Sequence, residues 1–336
     1  MTNFIEFERP DHVDYVHQLA GNLKAKLTGN FFTIPQSIGS GFMWAEKLPC
    51  GITVMAVHTV LKEEITFTQL PTNEQYFCLQ FNEYSKDPAA KSGTSKYKPP
   101  QTLQSAVRLT HTLLPGSFVI PAATELQSVC FFFNKEQLNN LLGGEAVNEL
   151  LTNYFPALIS SQNLEPIATD YRVTLNELLA EKLDMPLRLN FIQNRILLLL
   201  EKYIINLYGR KDLQPGKLKR TDDETLRLMQ VEALLVRNFS EPAPTIDELS
   251  RISAMSPTKL KNDFKKLYRH PIYEYYQKNR MSKAKSLLLT GKYSIKEVGV
   301  MVGYSNLSHF ATSFKKQFKM LPSEVMSKDG VLVYNS

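Results

Sequence analysis

The sequence predicts an α+β protein with a β-rich N-terminal domain and an all-α C-terminal domain. Three observations indicate this fold class. Between Gly51 and Phe133, short segments rich in β-branched and aromatic residues alternate with turn sequences. From Asn134 onward, apolar residues recur at the helical spacings of three and four. Near the C-terminus one phrase occurs twice, as FKKLYRHP at Phe264–Pro271 and FKKQFKMLP at Phe314–Pro322.

Length and composition favour a cytoplasmic protein of two domains. A chain of 336 residues exceeds the size at which one hydrophobic core stays compact. The three cysteines, Cys50, Cys78 and Cys130, are few and dispersed, which favours a reducing compartment over a disulfide framework or zinc ribbon. The first thirty residues lack the apolar stretch of a signal peptide. The longest apolar run, ILLLL, is far shorter than the roughly 20 residues of a membrane span, so we expect no membrane association.

Charge is distributed unevenly along the chain. Residues 1–215 contain 18 Lys and Arg against 21 Asp and Glu, whereas residues 216–336 contain 21 against 12. A basic C-terminal part is typical of a domain that meets a polyanion, although many lysine-rich faces are only solvated.

The N-terminal domain is predicted over residues 1–208, with a β-rich part at 40–133 and a helical part at 134–208. Short, closely spaced strands are typical of a sandwich or small barrel, whose interior is either filled by side chains or open to one ligand. The predicted helix Pro186–Tyr208 has a wide apolar surface. That surface packs either within the domain or against a second subunit. Residues 209–220 contain proline, glycines and charges without periodicity, which predicts a linker.

The segment from Thr245 to Tyr268 predicts two short helices joined by a tight turn. Thr245 and Glu248 have the capping-box spacing, and Ser256 before Pro257 starts the second helix. The apolar positions expected to point inward are Ile246, Leu249, Ile252, Leu260, Phe264 and Leu267. This arrangement is a helix-turn-helix, which presents its second helix to the DNA major groove.

A second copy follows from Ser294 to Phe318. Ser294 and Glu297 repeat the capping box, and residues Gly303–Asn306 form the predicted turn. Phe310, Phe314 and Phe318 are expected to face inward. One long amphipathic helix, within Pro271–Gly291, separates the two copies.

This layout resembles the AraC/XylS family of bacterial transcription regulators over roughly residues 221–326. The resemblance rests on the seven-residue frame Ser250–Ser256, on RMSKAKSLLL at 280–289, on the second copy and on Pro322. It implies an AraC-type DNA-binding domain at 221–326 with two helix-turn-helix motifs. It also implies a cupin-like β-barrel with dimerisation helices in the N-terminal domain.

The resemblance implies that two recognition helices read successive major-groove segments of double-stranded promoter or operator DNA. Base contacts are expected from Thr258, Lys261, Asn262, Leu307, Ser308 and Thr312. Backbone contacts are expected from Lys259, Lys265, Lys315 and Lys316, with simple solvation as the alternative for each lysine.

Four residues depart from the family pattern. Ser250 and Gly299 replace the usual alanine of each first helix, and Gly299 allows close helix packing. Arg269 and Lys319 replace the glycine that often follows each second helix. Since a left-handed cap is costly for a residue with a β-carbon, we expect these helix ends to be unusual and their charges to contact phosphate.

The sequence contains no catalytic signature, and we expect no enzyme, no cofactor and no metal site. His58 and His111 lie in strand-like segments without the paired histidines of enzymatic cupins, and neither HExxH nor GxSxG occurs. The alternative is an enzyme or repair protein that is targeted to DNA by the same module. That alternative needs a reactive cysteine or a metal cluster.

The N-terminal domain is expected to bind a small organic effector in an apolar pocket. Candidate lining residues are Met55, Val57, Phe77, Leu79 and Phe131. A filled barrel that serves only as a dimerisation scaffold is the alternative. The favoured function is a dimeric, effector-controlled transcription regulator, expected to be an activator acting with RNA polymerase. A sequence-neutral architectural DNA binder is a third hypothesis.

Overall fold

The computed structural model describes residues 4–7, 12–70, 76–86, 105–112, 116–161, 164–180, 187–209, 223–289 and 291–326. The chain divides into two compact units. The first unit comprises Met1–Ile167 and Glu181–Asp222, and the second comprises Ala168–Ala180 and Asp223–Ser336. The chain therefore passes three times from one unit to the other.

The first unit contains two β-sheets and five helices among its described residues. Its strands are β1 (Phe4–Phe7), β2 (Leu27–Thr28), β3 (Phe31–Thr33), β4 (Gly39–Lys47), β5 (Thr53–Leu61), β6 (Ile65–Gln69), β7 (Phe77–Lys86), β8 (Ala106–His111), β9 (Gly116–Ile120), β10 (Thr124–Phe133) and β11 (Leu164–Pro166). Its helices are α1 (His12–Asn22), α2 (Lys135–Leu142), α3 (Gly144–Glu149), α4 (Phe155–Ser161) and α6 (Arg188–Tyr208), with a π-helical turn at Leu150–Tyr154 between α3 and α4.

The strands form two open sheets. The larger sheet has the order β11-β8-β7-β10-β5-β4-β3-β2 and is antiparallel throughout. In the smaller sheet, β6 pairs in parallel with β1 and antiparallel with β9. Because the end strands β2 and β11 do not pair in the described part of the chain, the predicted β-rich region is confirmed but a closed cupin-like barrel is not observed.

The alternation of side chains on β10 places two cores on opposite faces of the larger sheet. Leu126, Cys130 and Phe132 belong to a core that also contains residues of α1 and of the smaller sheet. Phe131 and Phe133 are equally buried but point to the other face. There the ring of Phe133 lies 6.3 Å from that of Phe155 on α4.

The helices of the first unit begin close to the predicted positions. Asn134 caps α2 with a reciprocal capping box to Gln137. Helix α6 begins at Arg188 rather than Pro186 and buries much of its predicted apolar surface, including Ile192, Ile196 and Leu199. Leu189, Ile205 and Tyr208 are exposed. Within the described ranges, no helix combines the length and apolar character needed to cross a membrane.

The second unit consists of helices. They are α5 (Thr169–Leu178), α7 (Asp223–Arg237), α8 (Ile246–Ser253), α9 (Pro257–Tyr268), α10 (Ile272–Leu289), α11 (Ile295–Met301), α12 (Leu307–Phe318) and α13 (Pro322–Met326). Their core includes Leu249, Phe264, Tyr275, Val298 and Phe314.

Helix α5 changes the predicted domain boundary. The sequence places residues 169–178 in an N-terminal domain that ends at 208, but α5 packs on α10 and belongs to the second unit. This packing includes a buried ion pair between Arg172 of α5 and Glu232 of α7. Most of the predicted linker, from residue 210 to 220, lies outside the described residues.

Candidate nucleic-acid interface

The first helix pair begins and turns as the sequence predicts. The Thr245 hydroxyl accepts a hydrogen bond from the Glu248 amide at 3.2 Å, and the Thr245 amide donates to the Glu248 carboxylate at 2.8 Å. The hydrogen bond from the Thr245 amide, followed by one from the Thr245 hydroxyl at 2.9 Å, lowers the pKa of the Glu248 carboxyl. Ala254 then adopts a left-handed conformation, and Ser256 caps α9 with Pro257 at its first position. The two helices are thus joined by a three-residue turn.

Helix α9 has one buried and one exposed face. Leu260 and Phe264 are fully buried, and Leu267 is partly buried, as predicted. Ile252 of the preceding helix was expected to point inward, but its side chain is 48% exposed. Helix α8 turns the side that carries Leu249, and not the side that carries Ile252, toward the core. The predicted DNA-contacting residues of this helix are all exposed, and they are Thr258, Lys259, Lys261, Asn262 and Lys265.

Lys259 differs from the other lysines of this face because it is held by two carboxylates. Its ammonium donates to Asp263 at 2.8 Å and to Glu224 at 2.9 Å. The hydrogen bond to Asp263, followed by that to Glu224, raises the pKa of Lys259. A phosphate would therefore compete with these two carboxylates for this lysine.

The second helix pair repeats the geometry of the first. The Ser294 hydroxyl and the Glu297 carboxylate form the same reciprocal capping box. Gly303 has a φ of 75° in the turn. The side-chain oxygen of Asn306 then accepts hydrogen bonds from the amides of Ser308 and His309, which starts α12.

Helix α12 buries Phe310 and Phe314 completely and Phe318 in part. The predicted contact residues on its other side are all exposed, and they are Leu307, Ser308, Thr312, Lys315 and Lys316. The Thr312 hydroxyl donates to the Ser308 carbonyl at 2.9 Å, which leaves its lone pairs to accept a bond. His309, which was not predicted as a contact residue, is also exposed, and its three-residue spacing from Thr312 places both on one face of the helix.

Arg280 on α10 fixes the turn of the second helix pair, and this role was not predicted. Its guanidinium donates to the carbonyls of Val302 and Gly303. It also lies 3.9 Å from the ring centre of Tyr304. The turn is therefore tied to the helix that separates the two pairs.

The ends of α9 and α12 correct a prediction. Arg269 and Lys319 were expected to give unusual helix ends, but both residues adopt the ordinary left-handed cap conformation, with φ of 64° and 59°. Both side chains are exposed. The cost of about 1–2 kcal/mol for a left-handed residue with a β-carbon is thus tolerated at each helix end.

The five residues predicted to line an effector pocket are not brought together. Met55 and Val57 lie on the face of the larger sheet that packs against α1. Phe77, Leu79 and Phe131 lie on the other face, where the ring of Phe77 is 5.0 Å from that of Phe155. Strand alternation separates the two groups, because Met55 is paired with Cys130 and not with Phe131.

In the described ranges, no group of three His, Cys, Asp or Glu side chains is arranged to hold a metal ion. Cys78 and Cys130 are buried and not joined in a disulfide, and Cys50 is partly exposed. His58, one of the histidines noted in the sequence, hydrogen-bonds to Glu125 at 2.8 Å.

Two similar helix pairs, each with an exposed second helix and both packed on α10, define a double helix-turn-helix protein. Residues 249–328 match the family model of a helix-turn-helix domain. This part of the chain is similar to transcription regulators of the AraC/XylS family.

Curated relatives match the C-terminal part of the chain. The transcriptional regulator ArgR of Pseudomonas aeruginosa is 29% identical over 98 residues, which is 29% of this chain and 30% of that protein. The bifunctional transcriptional activator and DNA repair enzyme AdaA of Bacillus subtilis is 30% identical over 34% of this chain and 52% of its own. The xylose operon regulatory protein of Escherichia coli is 29% identical over 26% of this chain and 23% of its own. The matches thus span about a quarter to a half of these relatives.

A solved structure of a probable AraC family transcriptional regulator from Rhodopseudomonas palustris is similar to the same part. It is 25% identical, covers 30% of this chain and 95% of that chain, and has a TM-score of 0.28.

Proposed function

We propose that this protein is a sequence-specific DNA-binding transcription regulator, which inserts α9 and α12 into successive major-groove segments. One observation carries the proposal: both helices bury their aromatic residues and leave their polar faces exposed on the same helical support. Helix α10 has 18 residues, so it is about 27 Å long. A support of this length suits two recognition helices, α9 and α12, that contact DNA about one helical turn apart, ~34 Å.

The exposed side chains divide into two roles in this proposal. Asn262 pairs with adenine edges and Lys261 with guanine O6 and N7, while Thr258, Leu307, Ser308 and Thr312 complete the base contacts. Lys259, Lys265, Lys315 and Lys316 contact the phosphate backbone and set the position of the protein without reading sequence.

The N-terminal unit is proposed to supply dimerisation and control by a small organic effector. The exposed apolar residues of α6, among them Leu189 and Ile205, support a role in homodimerisation. The resemblance of residues 221–326 to AraC/XylS-family regulators supports activation together with RNA polymerase in the cytoplasm. Since the five predicted pocket residues lie on two faces, the effector site is to be sought within one face of the larger sheet.

Selection from random duplexes with the full chain tests the DNA-binding proposal. The selected sequence is expected to contain two half-sites about one helical turn apart. It is then competed against bulk DNA at fixed salt, where a regulator prefers the selected site by 10³-fold or more. Equal affinity for selected and bulk DNA would instead indicate a sequence-neutral architectural protein.

A pair of double variants separates the two roles. Lys261→Ala with Asn262→Ala is expected to lose preference for the selected site while keeping much of the nonspecific affinity. Lys315→Ala with Lys316→Ala is expected to weaken binding to all sequences and to reduce the salt dependence by about one ion per lysine. Unchanged discrimination in the first variant would contradict the placement of α9 in the groove.

A further inference from the structure

Helix α5 carries a buried arginine that contacts two helices of the DNA-binding unit. The guanidinium of Arg172 pairs with the carboxylate of Glu232 on α7 at 2.5 Å and donates to the hydroxyl of Tyr275 on α10 at 2.7 Å. The Tyr275 hydroxyl in turn donates to Glu232 at 2.9 Å. The side-chain amide of Asn279 donates to the Thr169 hydroxyl at 3.0 Å. Thr169 and Arg172 of α5 are therefore both hydrogen-bonded to α10.

These groups are removed from water. Arg172 is 7% exposed, Glu232 2% and Asn279 3%. Burial raises the pKa of Tyr275, so its hydroxyl stays a neutral member of the network. Loss of one partner of a buried ion pair is strongly destabilising, because the other charge is left uncompensated. Glu232 therefore depends on Arg172 to compensate its buried charge, although 59 residues lie between the two in the sequence.

Helix α5 belongs to the second unit, although the chain before it and after it belongs to the first unit. The chain leaves the first unit after Ile167, contributes α5 to the second unit, and returns to the first unit for α6. Strand β11, which precedes α5, is the end strand of the larger sheet. Helix α10, which α5 contacts, supports both helix pairs.

We propose that α5 is a constituent of the DNA-binding unit and that Arg172 is a positioning residue for the two reading helices. By joining α7 to α10, Arg172 sets the orientation of the support on which α9 and α12 are held. The first half of this proposal, that α5 is a constituent of the unit, does not depend on the proposed DNA-binding function. The second half, that Arg172 positions the two helices α9 and α12 for DNA, rests on it. A consequence is that the N-terminal unit is connected to the DNA-binding unit through α5 as well as through residues 210–222.

Cleavage of the folded full chain tests the first half without DNA. A specific protease site is introduced between residues 210 and 220, the protein is cleaved, and the fragments are analysed by gel filtration. The N-terminal fragment retains α5, so the fragments are expected to elute together. Arg172→Leu is expected to separate them, whereas Arg172→Leu with Glu232→Leu, which removes both buried charges, is expected to keep them together.

The control is Val173→Ala, which changes an exposed neighbour on the same helix. It is expected to leave the fragments associated. Separation of the unmodified fragments would overturn the proposal, as would association that is equally strong with Arg172→Leu. If Arg172→Leu fails to fold, the double variant decides: it supports the proposal by folding and remaining associated, and it overturns the proposal by failing too.

DNA affinity of the uncleaved variants tests the second half. Arg172→Leu is expected to lower affinity for the selected duplex at least tenfold, and the double variant to restore it to within about threefold. Val173→Ala is expected to bind like the unmodified protein. If no variant and no unmodified protein binds DNA specifically, the proposed function fails while the cleavage result still stands.

Discussion

A β-carbon added to Gly303 would lie 2.2 Å from the carbonyl oxygen of Phe239, which is closer than any side chain can approach. Gly303 also has a φ of 75°, where a residue other than glycine is strained. We therefore expect Gly303→Ala to destabilise the second unit by more than about 1 kcal/mol. Urea unfolding followed by circular dichroism measures the change, and wild-type stability in this variant would contradict the close approach.

Gly299 offers the opposite case, since the atoms nearest to an added β-carbon would be side-chain carbons of Leu307 and Phe310 at 3.5 Å, an ordinary contact distance. Gly299 lies inside α11, where glycine is less favourable than alanine. The space that alanine needs is already present, so close packing does not require glycine here. We expect Gly299→Ala to stabilise the protein by about 0.5–1 kcal/mol. The same unfolding experiment measures it, with Gly303→Ala as the matched control, and destabilisation by Gly299→Ala would show that the neighbours cannot accommodate a methyl group.

Arg280 is expected to affect DNA recognition by α12 without affecting recognition by α9. Lysine at this position keeps the charge but cannot donate in a fixed fork to the carbonyls of both Val302 and Gly303. Arg280→Lys should therefore weaken recognition of the half-site read by α12 while recognition of the other half-site is retained. Affinities for duplexes with one half-site scrambled distinguish the two, and an equal loss at both half-sites would argue against this role.

Local signals predicted the helix pairs of the second unit well. The caps at Thr245, Ser256 and Ser294 depend on residues one to three positions away, so they can be recognised in the sequence. The apolar spacing likewise predicted that Leu260, Phe264 and Phe310 are buried. Such features need no knowledge of distant parts of the chain.

Features that depend on long-range contacts were not predicted. The packing of α5 on α10, together with the pairing of Arg172 with Glu232, places α5 in the second unit, and no local pattern indicates it. The two sheet faces that separate Met55 from Phe131 depend on the register between β5 and β10. The left-handed caps at Arg269 and Lys319 show the reverse error, in which a local cost was expected to prevail over the packing of the helices around it.

Asp263 is expected to weaken DNA binding by α9. Its carboxylate accepts hydrogen bonds from Lys259 at 2.8 Å and from Lys266 at 3.2 Å, and the bond from Lys259 is the main reason that the pKa of Asp263 is lowered. Asp263→Asn removes one negative charge from the exposed face and weakens the hold on Lys259. We expect higher nonspecific DNA affinity and a steeper salt dependence, measured by fluorescence anisotropy over a salt series. Glu224→Gln, at the other carboxylate that holds Lys259, is the matched variant, and lower affinity in both would contradict the proposed competition.

Glu125 is expected to make the stability of the first unit depend on pH. The hydrogen bond with His58, aided by one from the Ser85 hydroxyl, lowers the pKa of Glu125 to about 2 despite its partial burial. The unfolded chain takes up a proton at this carboxyl near its ordinary pKa, whereas the folded chain does not until about pH 2. Stability from this group is therefore complete above the ordinary pKa and is lost as the pH falls toward about 2.

Glu125→Gln should consequently unfold more easily at pH 7, by at most about 3 kcal/mol, and its unfolding free energy should fall less steeply between about pH 5 and 3 than that of the unmodified protein. Urea titrations at a series of pH values measure both quantities for the two proteins. Parallel pH profiles for the variant and the unmodified protein would show that the hydrogen bond between His58 and Glu125 does not hold the carboxylate in its charged form.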